Sequence, residues 1–223
     1  MKALVTGFEP FGGERVNASL EAVRRLPPAI GTLEILTAEL PTSYARSFPA
    51  LEAALLRAQP DVVLCVGQAG DRPALSVERV AVNIRDARIP DNDGAQPVDV
   101  PVVPGGPAAY LASLPARAIV ASLRAAEIPA QLSMSAGTFV CNHVFYGLMH
   151  FAATRGRRLR GGFIHVPCLP PQPAGIACMA LDDLVRGLVT ALETVASPRE
   201  PGQPVGIFSR PGTLRDNDPE ETR

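Results

Sequence analysis

The sequence predicts an α/β fold in which a mainly parallel, twisted sheet is covered by helices on both faces, giving three α/β/α layers. Strand-like apolar segments alternate with Ala- and Leu-rich helical segments along the chain. Residues 61–67 form a continuous apolar run between Pro60 and Gly67, which is typical of a strand buried on both faces. With 223 residues, 47% of them hydrophobic, the chain suits one domain with a substantial core.

The predicted elements follow one another in a regular order. Strands are expected at 2–6, 32–38, 61–67, 130–133 and 162–166, and the alternation of Val80, Val82 and Ile84 indicates another. Helices are expected from about 17, over 44–59, over most of 107–127 with a break at Pro115, from about Thr138, and over 174–195. The polar segment 68–106 has no predicted helix, and its length indicates a functional loop. We expect a single α/β domain over 1–196 and a loose, Pro- and charge-rich extension over 197–223.

Composition narrows the possible functions. The 21 basic and 22 acidic residues leave a formal net charge of −1, so no nucleic-acid partner and no membrane surface is expected. Lys2 is the only lysine. Schiff-base catalysis and phosphate binding by a P-loop both need a lysine at the site, so both functions are disfavoured. The four cysteines lack metal-ligand spacing. Together with the absence of a signal peptide or membrane span in the sequence, this predicts a cytoplasmic protein with reduced thiols.

Cys141 stands in the segment with the clearest chemical pattern, Ser-Ala-Gly-Thr-Phe-Val-Cys-Asn-His at 135–143. A turn at Gly137 and a cap at Thr138 would place Cys141 in the first turn of a helix. The helix start favours a thiolate there and supplies N–H donors for an oxyanion. A buried structural thiol is an equally good interpretation from geometry alone. Cys65 and Cys178 lie in apolar segments and are expected in the core.

A cysteine hydrolase needs a base, and the chain has three histidines. His143 would project to the opposite side of the helix from Cys141. His150 would lie about 13 Å farther along the helix axis at about 1.5 Å per residue. His165, at the end of a predicted strand, occupies the sheet edge where doubly wound folds place their sites. Elimination therefore favours His165 as the base, although Cys168, three residues later, remains an alternative thiol without a helix start.

Four ordered stretches resemble the pyroglutamyl peptidase I (pyrrolidone carboxyl peptidase) family. They are Thr-Gly-Phe-Glu-Pro-Phe-Gly-Gly at 6–13, Glu-Arg-Val-Ala-Val-Asn-Ile-Arg-Asp-Ala-Arg-Ile-Pro-Asp-Asn at 78–92, the Cys141 segment, and Phe-Ile-His-Val-Pro at 163–167. The resemblance implies a Cys-His-Glu triad formed by Cys141, His165 and Glu78. It also implies an α/β/α fold without metal or organic cofactor, often assembled as a homotetramer in the cytoplasm.

The third triad member depends on the resemblance. Sequence alone does not choose among the acidic residues of the polar segment, Glu78, Asp86, Asp91 and Asp93. Without the resemblance, Glu78 beside Arg79 would be interpreted as a solvated ion pair of little energetic consequence. The family pattern instead assigns Glu78 to hold the His165 ring and stabilise its imidazolium form.

The resemblance also implies a pocket for a neutral lactam. In that pocket Phe8, Phe11 and Phe139 would flank the ring, and Asn17 and Gln68 would support or line it. Cys141 with its backbone N–H and Arg88 would stabilise the oxyanion. The alternatives are core packing for each phenylalanine and an ion pair with a nearby Asp for Arg88.

The resemblance implies that the activity is hydrolysis of the amide bond after an N-terminal pyroglutamyl residue, through a thioester on Cys141. A thiol amidase acting on another small amide is one alternative. A non-catalytic nucleotide-binding module is the other, because Gly7, Gly12 and Gly13 superficially resemble a phosphate loop. The loop lacks the Lys-Ser/Thr ending and carries bulky Phe and Pro residues.

Overall fold

A computed structural model describes residues 1–155, 159–171 and 178–197. The strands are β1 (Lys2–Phe8), β2 (Ala29–Ile30), β3 (Leu33–Leu40), β4 (Val62–Gln68), β5 (Leu75–Glu78), β6 (Val80–Val82), β7 (Ala109–Leu111), β8 (Ala130–Ser133) and β9 (Arg160–Val166). The helices are α1 (Ala18–Arg24), α2 (Ser47–Ala58), α3 (Ala116–Ala125), α4 (Val140–Thr154) and α5 (Leu181–Ala196).

Seven strands form the central sheet, in the order β2-β3-β1-β4-β9-β5-β8. Strand β1 pairs in parallel with β3 and β4, β4 with β9, and β5 with β8. Among the described residues, two pairings within this sheet are antiparallel, β2 with β3 and β5 with β9. The prediction of a mainly parallel sheet is therefore confirmed, and the reversal at β5 proves important for the site.

The two faces of the sheet carry separate cores, which confirms the three-layer architecture. On one face α1, α3 and α5 pack on residues such as Val5, Leu64 and Ile164. On the other face α2 and α4 pack on Leu4, Val63 and Phe163, whose neighbours along each strand point the opposite way. Residues buried on both faces explain why the central strands are continuous apolar runs.

Three predicted elements differ from the structure. Within 107–127, residues Ala109–Leu111 form β7, paired antiparallel with β6, and the helix begins only at Ala116, after Pro115. The Ala-rich composition favoured a helix there, but backbone pairing with β6 prevails. Helix α4 has Phe139 as its N-cap residue, whereas Thr138 donates its hydroxyl to the Asp86 carbonyl at 2.7 Å. The last helix begins at Leu181 rather than 174; residues 172–177 lie outside the described residues.

The polar segment 68–106 is ordered by its own hydrogen bonds. The Asn83 side chain bonds to the backbone of Val103 and Gly106, and Arg85 forms a β-bridge with Val100. Strand β6 of this segment packs against α4, so the neighbouring loops of the segment lie near the start of that helix. In the described part of the chain, no helix has the length and apolarity needed to cross a bilayer. The predicted extension lies almost wholly outside the described residues.

Candidate active site

The register of three neighbouring strands brings the predicted base and its carboxylate together. Gly67 on β4 is opposite His165 on β9, because these strands run in parallel. Strand β5 runs the other way, so Ser76 is opposite His165 and Glu78 is opposite Phe163. Glu78 is therefore a diagonal neighbour of His165, a separation that a long side chain spans.

Glu78 and His165 form a buried hydrogen bond. His165 Nδ1 lies 2.8 Å from Glu78 Oε1, and the two side chains are 5% and 0% exposed. The same oxygen accepts a hydrogen bond from Arg72. Glu78 is thus not a solvated partner of Arg79, and its carboxylate is placed to orient the imidazole ring.

Cys141 is the second residue of α4 and faces the end of β4. A Cβ built on Gly67 would lie 2.8 Å from Cys141 Sγ, so a glycine is needed there to make room for the sulfur. The first backbone N–H groups of a helix have no partner within it. In α4 the carbonyl of the N-cap residue Phe139 accepts a hydrogen bond from His143 N at 3.1 Å, the first such bond described in this helix. The N–H groups around Cys141 are therefore available to an anion.

Opposing effects set the protonation of Cys141. The pKa of the thiol is raised to about 12, first by burial and then by the Glu78 carboxylate, whereas Arg72 and the Cys141 backbone N–H lower it. The backbone N–H at the helix start acts in the direction that the sequence predicts, but desolvation outweighs it. A reactive thiolate must form by transfer of the proton to a base in the same cavity.

Cys141 and His165 line one cavity of about 830 Å³. Every residue that was predicted to bind substrate or the oxyanion lines it as well: Phe8, Phe11, Asn17, Gln68, Arg88 and Phe139. Asp71, Arg72 and Asp86 are the other charged residues in its wall. A volume of this size exceeds that of a single lactam ring, so the cavity has room for part of the following residue.

The three predicted ring contacts differ in how they meet the cavity. Phe8 is 2% exposed and packs on Phe163, with ring centroids 6.4 Å apart. Phe11 and Phe139 are less buried and lie 6.0 Å apart, forming one aromatic wall. Tyr44 packs edge-on against Phe139 and fixes its orientation.

Asn17 and Gln68 stabilise the pocket through the start of α1. The Asn17 side chain caps this helix by accepting from Ser19 N at 3.0 Å, and its amide donates to the Glu9 carbonyl at 3.0 Å. Gln68 Oε1 accepts from Ala18 N at 2.6 Å. Both side chains therefore hold the loop between β1 and α1, which carries Phe11 and follows Phe8.

Arg88 is exposed at the cavity and forms no ion pair with any described residue. The alternative interpretation, an ion pair with a nearby Asp, is therefore not found in the described part of the chain. Its backbone carbonyl accepts from Gln96 Nε2 at 3.1 Å, which fixes the loop behind it. The guanidinium remains available to a ligand in the cavity.

The remaining histidines and cysteines lie elsewhere. His143 is buried against the Tyr44 ring, and the His150 ring bonds to the Tyr110 hydroxyl at 2.9 Å. Cys65 is a core residue as predicted. Cys178 is exposed, so its predicted place in the core is wrong; it follows the residues outside the described range and forms a β-bridge with the buried Cys168.

Sequence reasoning missed two residues of the site. Gly67 appeared only as the end of a strand, and the close approach of Cys141 Sγ depends on packing between β4 and α4. Arg72 was one of many polar residues in the long loop. Arg72 follows strand β4 by four residues and so lies near the edge of the sheet where such folds place their sites, and this position in the sequence could have identified it.

A model of the pyroglutamyl peptidase family matches residues 1–198. The chain belongs to this family. Pyrrolidone-carboxylate peptidase 1 of Ralstonia nicotianae is 54% identical over 201 residues, which cover 88% of this chain and 94% of that protein. The pyrrolidone-carboxylate peptidase of Streptomyces coelicolor is 56% identical over 180 residues, covering 79% and 82% respectively.

Solved structures of pyroglutamyl peptidases share the fold. The Bacillus amyloliquefaciens pyroglutamyl peptidase I superimposes with a TM-score of 0.85 at 46% identity, covering 87% of this chain and 96% of that one. The Pyrococcus furiosus pyrrolidone carboxyl peptidase gives a TM-score of 0.84 at 39% identity, covering 87% and 98%. The pyroglutamyl peptidase match contains every residue of the cavity described above.

Proposed function

We propose that this chain is a cysteine peptidase that removes the N-terminal pyroglutamyl residue from peptides. One observation carries the proposal: in a chain that belongs to the pyroglutamyl peptidase family, Cys141 and His165 line a single cavity, and the buried Glu78 carboxylate is hydrogen-bonded to His165 behind it. Cys141 is the proposed nucleophile, His165 the general base and acid, and Glu78 the group that orients the imidazole.

The first half of the reaction forms a thioester. His165 takes the proton from Cys141 Sγ, and the sulfur attacks the carbonyl that links pyroglutamate to the next residue. Backbone N–H groups at the start of α4 stabilise the oxyanion, a contribution of about 3–4 kcal/mol per donor in comparable sites. Arg88, which also lines the cavity, adds positive charge.

The second half releases both products. The His165 imidazolium gives its proton to the departing amine, so that the peptide leaves with a free N-terminus. Water then attacks the thioester with His165 as base and releases pyroglutamate. Glu78, buried and bonded to Nδ1, keeps the ring in one tautomer and stabilises the imidazolium in both steps.

Specificity follows from the chemistry of the pocket. Pyroglutamate presents a neutral lactam with an apolar ring, which fits the wall formed by Phe8, Phe11 and Phe139. An ordinary N-terminus would bring a charged ammonium group into the same apolar surroundings, where desolvation without a partner is costly. The substrates proposed are therefore peptides with a blocked, lactam N-terminus.

The nucleophile is tested with a pyroglutamyl fluorogenic amide. Cys141→Ala should lose at least about 10³-fold in kcat/KM, because the covalent step has no substitute. Cys178→Ala is the matched control, since it removes an exposed thiol outside the cavity, and it should keep wild-type activity. Near-normal turnover by Cys141→Ala would contradict the proposal.

The base and the specificity are tested in the same assay. His165→Ala should be severely impaired, whereas His150→Ala, which removes a ring on the far turns of α4, should not. Comparison of pyroglutamyl and alanyl amides distinguishes a pyroglutamyl peptidase from a general thiol amidase, which would turn over both equally. Cytoplasmic location and a homotetrameric assembly stay predictions from the family resemblance.

A further inference from the structure

The Glu78 carboxylate is shared by two basic side chains. Its Oε1 atom accepts from His165 Nδ1 at 2.8 Å and from Arg72 Nη1. Its Oε2 atom is buried and has no hydrogen-bond partner among the described residues. Both donors therefore meet on one oxygen of a side chain that is 0% exposed.

Arg72 is held in place from the other side. Its Nη1 lies 3.3 Å from Ser133 Oγ, and its Nη2 donates to the Ser135 carbonyl at 3.0 Å. The side chain is 22% exposed and lies in the cavity wall. Contacts to the end of β8 and to the turn before α4 fix the guanidinium at Glu78, so it is not a mobile surface charge.

A charge buried this deeply is stabilised when an opposite charge lies beside it, and the Arg72 guanidinium supplies that charge at Glu78. When the thiolate and imidazolium have formed, their charges cancel, and the Arg72 charge cancels that of Glu78. Without Arg72 the cluster would carry a net negative charge in a buried site. Each proton that it binds would then be held more tightly, whichever group carries that proton.

Arg72 also favours loss of the proton from the Cys141 thiol. Its charge lowers the pKa of the Cys141 thiol, whereas the Glu78 carboxylate raises it. Arg72 thus offsets an unfavourable effect of the residue that orients the base. Other titratable or charged groups near this cluster are Cys65 on β4 and three residues that line the cavity. These are Asp71, which precedes Arg72 in the loop after β4, Asp86 and Arg88.

None of these groups replaces Arg72. Among the described residues, Arg72 and His165 are the basic groups that form an ion pair with Glu78. Arg88 lines the cavity without such a contact, and Asp71 and Asp86 add negative charge. The neutralising charge at the carboxylate therefore comes from one side chain.

We propose that Arg72 is a positioning residue of the peptidase site: it compensates the charge of the Glu78 carboxylate and thereby sets the pH range over which the Cys141–His165 pair is active. The inference rests on the proposed function. Arg72 acts through Glu78 rather than on the substrate. A substrate contact would change KM at every pH, and a purely structural role would lower activity without moving its pH dependence.

The first test is the pH profile of kcat/KM for the pyroglutamyl amide. Arg72→Met should shift both limbs of the bell-shaped profile to higher pH by about one unit, because loss of a nearby cation strengthens every proton-binding step of the cluster. Arg72→Gln keeps a hydrogen-bond donor without charge and should shift the profile in the same way, and it also serves if the Met variant folds poorly. Arg72→Lys keeps the charge and should leave the limbs near wild type.

Arg79→Met is the matched control. Arg79 follows Glu78 directly in the chain, but it forms no ion pair with that carboxylate in the described structure. Its loss should leave both limbs in place. Equal displacement by Arg79→Met and Arg72→Met would overturn the inference, as would a uniform loss of activity in Arg72→Met and Arg72→Gln without displacement.

A second measurement does not depend on activity. In a Cys141→Ala background, NMR can follow the titration of the His165 ring, one of three histidines in the chain. Adding Arg72→Met should move the midpoint of this titration to higher pH by about one unit, and Arg72→Lys should not. An unmoved midpoint refutes the role of Arg72 even in an active enzyme. Conversely, a wild-type protein that does not hydrolyse the amide refutes the proposed function alone.

Discussion

Cys141 and His143 lie two positions apart in the first turn of α4, and the helix directs them into different surroundings. Cys141 reaches the cavity beside Gly67, whereas His143 packs edge-on against the Tyr44 ring, with centroids 5.6 Å apart. Burial raises the pKa of the Cys141 thiol to about 12 and lowers that of His143 to about 4. Both residues are therefore neutral near neutral pH, but only Cys141 shares a cavity with a base.

The neutral, buried His143 predicts a pH dependence of stability. Burial is the main cause of its low pKa, with the Arg85 charge second. The unfolded chain binds a proton at this residue near pH 6.5, and the folded chain does so only near pH 4. Stability from this residue is therefore complete above about pH 6.5 and is lost as pH falls toward 4, by at most about 3 kcal/mol.

Urea unfolding between pH 4.5 and 7 measures this effect. The free energy of unfolding of the wild type should rise with pH over that window, and His143→Gln should show a shallower rise. His150→Gln, at the other end of α4, should retain the wild-type slope. Asp93, whose pKa the Arg46 hydrogen bond lowers to about 2, titrates below the window. Identical slopes in the wild type and His143→Gln would show that the buried ring does not couple folding to protons.

At the scale of elements, Asn142 ties the start of α4 to strand β6. Its amide donates to the Val82 carbonyl at 2.9 Å and to the Ile84 carbonyl at 3.0 Å, and its Oδ1 accepts from Val82 N at 3.0 Å. The side chain is fully buried. Asn142 thus joins the helix that carries Cys141 to the segment that leads to Arg88.

Asn142→Ala should therefore destabilise the protein and weaken catalysis together. Three hydrogen bonds to partly buried backbone groups are lost, which predicts a loss of about 2–4 kcal/mol in unfolding free energy. Because α4 and the Arg88 loop separate, kcat/KM should fall as well, by at least about tenfold. Asn83→Ala removes a similar set of bonds within the loop but away from α4. It should cost comparable stability with much less activity; equal losses of activity would contradict the role of Asn142.

The sequence predicts the central strands well because their apolar runs are long and buried on both faces, as at β4 and β9. It does not predict β5, whose four residues include Ser76 and Glu78 in a polar segment. A buried carboxylate in a strand contradicts the hydrophobic pattern, and it is tolerated here because Arg72 compensates its charge and His165 forms a hydrogen bond with it. Residue chemistry favoured Cys141 and His165, whereas Glu78 and the pocket needed the family resemblance. Arg72 becomes evident only from three-dimensional contacts.

For the molecule as a whole, the described fold closes with α5. This helix buries one face against α1 and α3, through Leu184, Leu188 and Leu192 among others. The family match ends at residue 198, directly after this helix. All residues of the cavity precede α5 in the chain. We therefore propose that residues 1–196 form the catalytic domain and that residues beyond it are not needed for activity.

Two truncations test this division. A chain ending at residue 198 should keep the wild-type kcat/KM and melting temperature, because it retains the whole of α5. A chain ending at residue 190 is the matched control, since it also removes Ala191, Leu192 and Val195, all of them buried in the core. Loss of the two larger side chains from the core costs about 3–6 kcal/mol, which approaches the whole stability of a typical domain. The shorter chain should therefore lose its cooperative thermal transition. Full activity in that chain would show that the end of α5 is dispensable, and inactivity of the 198-residue chain would place a required element beyond the family match.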